Sequence, residues 1–69
     1  MYLVNYGQTG ANYLGRDKVY GTKKAAVREA TQTVRELGSD AWAVVKNTRV
    51  GFGHDPIIAR WRNGRRVTV

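Results

Sequence analysis

The segment Ile57-Ile58-Ala59-Arg60-Trp61-Arg62-Asn63-Gly64-Arg65-Arg66-Val67 carries the residue types and spacing in this chain best suited to chemistry. Asn63-Gly64 is a strong turn signal, because both residues tolerate φ > 0 as a two-residue type I′ hairpin turn requires. Such a turn sets Arg62 opposite Arg65, Trp61 opposite Arg66 and Arg60 opposite Val67. Arg60, Arg62 and Arg65 then share one face, and Ile57, Ala59, Trp61 and Arg66 share the other. The face with the apolar residues is expected to pack under a helix, leaving three arginines in solvent. Like charges this close destabilise a bare hairpin, so the arrangement suits recognition of an anionic partner. The alternative is that these arginines keep an edge hairpin soluble and unpaired.

Further cations fall on other elements. At 100° per residue, Lys24, Arg28 and Arg35 lie within roughly 40° of one another on a helix, with Glu29 and Glu36 placed apart from them. This stripe suits an anionic partner or an ordinary solvated helix face. Tyr2, Tyr6, Tyr13 and Tyr20 interleave with Arg16 and Lys18. Aromatics and cations arranged this way can stack bases and hold phosphates, although strand tyrosines more often serve as half-buried packing residues. The candidate binding residues are therefore Arg60, Arg62, Arg65, Arg66, Lys24, Arg28, Arg35, Arg49, Tyr6 and Tyr13.

Catalytic equipment is sparse. The chain holds one Ser, one His and no Cys. Ser39 lacks a nucleophile-elbow motif around it, and His54-Asp55-Pro56 reads as a turn. A lone His without Cys cannot build a zinc site. Gly51-x-Gly53 has neither the spacing nor the lysine of a phosphate loop, and the acids are scattered. The reading is a non-enzymatic module without cofactor or metal.

Composition points the same way. Twelve Lys and Arg against five Asp and Glu leave a net charge of +7 on 69 residues. That balance favours an acidic macromolecular partner. One domain spanning residues 1–69 is expected, and a chain this short buries only about 60% of the surface its unfolded form exposes. With no thiols to cross-link it, a homodimer or a bound partner could add stability. No apolar run reaches the roughly 18 residues of a membrane span, and no signal-peptide pattern is present. A soluble, cytoplasmic protein is expected.

The elements that must position these residues follow from periodicity. Met1–Tyr6 alternates as a strand, with Tyr2, Val4 and Tyr6 on one face, and Gly7-Gln8-Thr9-Gly10 reads as a turn. A less regular strand spans residues 13–20, interrupted near Gly15. Lys23–Leu37 is a helix with Thr22 as N-cap and Gly38 as its terminator. Ala26, Val27, Ala30, Val34 and Leu37 cover an arc of about 100° that should face a sheet. Ala41–Asn47 is apolar on both faces, which suggests a central strand. Residues 48–53 form a short strand or a loop, Ile57–Arg62 a strand, and residues 65–69 the last strand. The expected fold is α+β, in the order β-β-α-β-(β)-β-β: an antiparallel sheet of four to five strands with one helix on one face.

Three resemblances bear on these elements. Arg49-Val50-Gly51-Phe52-Gly53 is similar to the centre of an RNA-recognition-motif strand, but the Phe-Val-x-Phe that should follow is absent and one helix stands where that fold needs two. Tyr20-Gly21-Thr22-Lys23-Lys24-Ala25-Ala26 resembles the sheet-to-helix junction of the arm-type DNA-binding domain of tyrosine recombinases, a family with three strands before its helix. The whole architecture, ending in the basic hairpin, is similar to some small phage anti-CRISPR proteins. That resemblance implies an inhibitor that docks on a CRISPR surveillance complex and obstructs its nucleic-acid channel; the basic charge excludes acidic mimicry of DNA. The expected partner is thus nucleic acid or a nucleic-acid-loaded protein complex, with direct, sequence-nonspecific DNA binding as the alternative.

Overall fold

Segments of period two pair into one antiparallel sheet, and the single segment of period 3.6 lies across it. The computed structural model describes residues 1–9, 16–48 and 56–68. The elements are β1 (Tyr2–Gln8), β2 (Arg16–Tyr20), α1 (Lys23–Leu37), β3 (Ala41–Asn47), β4 (Ile57–Arg62) and β5 (Arg65–Val67). The sheet order is β2-β1-β3-β4-β5, with every neighbouring pair antiparallel. This is a single α+β domain, and β3 occupies the middle of the sheet, as its two-sided apolar pattern suggests.

The helix begins where Thr22 Oγ1 accepts a hydrogen bond from the Ala25 N–H at 3.2 Å, satisfying one of the first-turn donors left without an intrahelical partner. It ends at Gly38, whose φ of 105° takes the chain where a side chain rarely goes. Gly38 N–H still donates to the Val34 carbonyl at 3.1 Å.

Ala26, Ala30 and Val34 of α1 close over Val4, Ala41, Ala43, Val45, Ala59 and Trp61 of the sheet. Five of these nine buried residues are alanines. Small side chains on both surfaces let the helix sit close, and Trp61, only 3% exposed, supplies the one large core side chain. Val27, Leu37, Tyr2, Tyr6, Tyr20 and Ile58 pack around this centre.

Three expectations differ from the structure. Gly7 and Gln8 are not a turn: β1 continues through both, paired with Trp42 and Ala41 along the full length of β3. Gln8 is held there by its side-chain amide, which donates to the Leu37 carbonyl at 2.9 Å, and Thr9 N–H donates to the Asp40 carbonyl at 2.9 Å. Ile57 does not continue the Ala59–Trp61 alternation. The β3–β4 register shifts between Val45 and Lys46, so Ile57 pairs with Lys46 where strict alternation would set Ile58. A bulge of this kind inserts one residue and breaks the parity of every position beyond it. The last strand stops at Val67, short of the expected end at residue 69. The expected strand beginning at Tyr13 and the segment 48–53, expected as a short strand or a loop, fall largely outside the described residues, apart from Arg16–Tyr20 and Thr48.

Candidate functional site

The hairpin has the register its sequence implies. Arg62 pairs with Arg65, Trp61 with Arg66 and Arg60 with Val67. Asn63 and Gly64 take φ values of 53° and 77°, the left-handed pair that a type I′ turn demands. The turn is fastened to the body of the protein. Gly64 N–H donates to the Ala41 carbonyl at 3.0 Å, and a Cβ at Gly64 would lie 3.1 Å from the Gly38 oxygen.

Because Ala59 and Trp61 are buried under α1, alternation turns Arg60, Arg62 and Arg65 to the opposite face of the sheet. Arg62 and Arg65 are exposed and Arg60 is half-buried. Arg62 and Arg65 line a depression of about 510 Å³ together with Ser39, Asn63 and Val67. Among the described residues, no carboxylate lies within ion-pair distance of these three arginines.

The same sheet face, which no described element covers, mixes apolar with polar and charged side chains. Register places Asp17, Asn5, Val44, Arg60 and Val67 in one cross-strand row, and Val19, Leu3, Lys46 and Ile57 in the next. Asn5 donates a side-chain hydrogen bond to Asp17 within the first row. Trp42 lies over Gly7, where a Cβ would approach the indole to 2.9 Å. The absence of a side chain at Gly7 is therefore what lets the indole approach β1 this closely. Sequence reading did not single out Trp42, Val44 or Lys46. The alternation of β3 was the available signal, since it sets all three on the face away from the buried Ala41, Ala43 and Val45.

On the helix side, Arg66 sits with its guanidinium carbon 5.4 Å from the Trp61 ring centroid, a cation–π distance. Arg66, Trp61 and Gly64 from the hairpin meet Thr31, Val34 and Arg35 from α1 around a groove of about 380 Å³. Arg28 and Arg35 border an adjoining groove with Thr31, Gln32 and Glu36. Glu36 is thus nearer the basic stripe than the helical projection implies. Lys24, Arg28 and Arg35 are all exposed. Helix and hairpin cations, separate in sequence, therefore converge at Arg35 and Arg66.

The tyrosines are placed differently from the arginines. Tyr2 and Tyr20 pair directly across β1 and β2, and with Tyr6 they pack against the core on the helix side. Tyr6 also lines a groove of about 510 Å³ with Gly7, Lys18, Glu29, Gln32, Thr33, Glu36 and Leu37. This groove mixes acids with a single lysine, and none of the hairpin arginines lines it. Tyr13, Arg49 and His54 lie outside the described residues.

Among the described residues no group of three or more His, Cys, Asp or Glu is gathered as a metal site would require. No described helix is long and apolar enough to cross a membrane. No protein-family model matches the chain, and neither does any curated protein or solved structure.

Proposed function

We propose that this protein is a non-enzymatic binding module that docks on a nucleic-acid-loaded protein complex through its uncovered sheet face and obstructs nucleic-acid binding there. One observation carries the reading: Arg60, Arg62 and Arg65, without carboxylate partners among the described residues, border half-buried Trp42, Val44 and Val67 on one face. A grip on bare phosphates needs cations alone. Tryptophan and arginine beside apolar area form the composition of a protein-docking hot spot, and the arginines add electrostatic steering toward an anionic target. The resemblance to small phage anti-CRISPR proteins makes a CRISPR surveillance complex the first target to test. Direct DNA binding, as in recombinase arm-type domains, is the second reading, favoured by the cations at Arg35 and Arg66 on the other side of β5.

A double variant, Arg62→Glu with Arg65→Glu, separates the readings. In the docking mode it abolishes association with the nucleoprotein complex, while the wild-type chain binds free duplex weakly. In the direct mode the three hairpin arginines contribute about −2.7 to the wild-type slope of log affinity against log salt on free duplex, and each lost contact removes about 0.9. Wild-type behaviour of the double variant toward both targets would sink the hairpin reading.

A further inference from the structure

The hairpin presents cations on both sides of a short edge. β5 is three residues long and ends the sheet. Its side chains alternate, so Arg65 joins Arg62 on the uncovered face while Arg66 turns toward α1. There Arg66 meets Arg35 across the groove of about 380 Å³.

We infer that this groove, with Arg35 on the helix wall and Arg66 on the hairpin wall, is a phosphate-binding cleft that grips a nucleic-acid backbone passing around the β5 edge. The inference rests on the reading that the partner carries nucleic acid. Four observations support it. Among the described residues neither arginine has a carboxylate within ion-pair distance. Glu36 borders Arg35 in the adjoining groove and is not among the residues lining this one. The Trp61 ring beneath Arg66 is held in the core, so the guanidinium has a fixed platform and less freedom to lose on binding. Gly64 lines the groove without a side chain to narrow it.

The chemistry of the lining also selects the ligand. Two guanidinium forks match the oxygens of a phosphodiester. Thr31 already donates its hydroxyl hydrogen to the Val27 carbonyl at 2.8 Å, leaving the arginines as the charged donors of the cleft. Trp61 is only 3% exposed, so it offers no face for a base to stack on. The cleft therefore reads backbone and not sequence. Cations recur from Arg28 and Arg35 through Arg66 to Arg65 and Arg62, which suits a ligand whose charge recurs along its length more than an isolated phosphate.

The test uses the intact chain and a short fluorescein-labelled DNA duplex. Binding is measured by anisotropy across a salt series, and the Arg Nε–H and Trp indole resonances are followed by NMR. Wild-type titration is expected to shift the Arg35, Arg66 and Trp61 side-chain signals. The Arg35→Gln/Arg66→Gln variant is expected to lose about tenfold in affinity per arginine removed and to reduce the salt slope by about 1.8. Arg66→Lys retains the charge without the fork, so the slope should persist while affinity falls severalfold. If Arg66→Gln disturbs the fold through Trp61, Arg35→Gln alone, on an exposed helix position, carries the same expectation at half the slope change. Absence of shifts at Arg35 and Arg66, or wild-type affinity and slope in the variant, overturns the cleft. Loss confined to Arg62→Gln/Arg65→Gln also overturns it while leaving the proposed docking face standing. A chain that ignores free duplex yet captures a nucleoprotein complex separates the two in the same way.

Discussion

At the residue scale, two glycines leave room that a side chain would fill, and one threonine caps the helix. Gly7 lies under the Trp42 indole, and an added Cβ would come within 2.9 Å of the ring. Gly7→Ala should therefore displace Trp42 and destabilise the domain by about 1–3 kcal/mol, the usual cost of overpacking. The cost should largely vanish in a Trp42→Ala background, where the clash is gone. A double-mutant cycle read by chemical denaturation checks this, and additivity of the two substitutions would show that the indole does not rest on Gly7. Gly64 has two reasons to stay glycine, its φ of 77° and the Gly38 oxygen 3.1 Å from a would-be Cβ. Thr22 closes the helix N-terminus, and Thr22→Ala should cost about 1 kcal/mol by the same measurement.

At the scale of elements, α1 is held by a small-residue face. Val34 is 2% exposed and lies among Ala26, Ala30 and the sheet. Val34→Asp places an uncompensated charge in this core. In a domain of this size the expected result is loss of the cooperative thermal transition. Retention of wild-type melting would mean the buried face of α1 is misassigned. The hairpin behaves as an element for a different reason. Its turn is tied by the Gly64–Ala41 hydrogen bond, so the arginines stand on a braced ribbon and not on a mobile loop. Preorganisation of that kind lowers the ordering cost of binding.

At the scale of the whole molecule, charge opposes compactness. A net charge of +7 sits on a body whose longest dimension is 30 Å. At about 0.01 M salt the screening length is also roughly 30 Å, so each cation feels the others. Calorimetry is expected to show the melting temperature rising by several degrees as NaCl is raised from about 0.01 to 0.15 M, because screening relieves the self-repulsion. Arg62→Gln/Arg65→Gln should raise the melting temperature at low salt and weaken the salt dependence. A melting temperature indifferent to both changes would mean that the arginines do not strain the free domain.

Read in order, the residues already determine much of this protein. The helix Lys23–Leu37, its Thr22 cap, the strand Ala41–Asn47 and the Arg62–Arg65 hairpin register are local properties, set by side-chain period, capping and turn chemistry within a few positions. Sequence and structure part where a distant partner overrides the local signal. Gly7 and Gln8 look like a turn until β3 extends far enough to pair with them. Ile57 keeps its parity until a register shift against β3 removes it. The sheet order and the uncovered Trp42 face likewise depend on which strands meet, a choice made by burial of the whole alanine-rich core. The meeting of Arg35 with Arg66 belongs to tertiary structure alone. Helical phase and strand alternation each orient one arginine, but only the docking of α1 on the sheet sets their two walls around one groove.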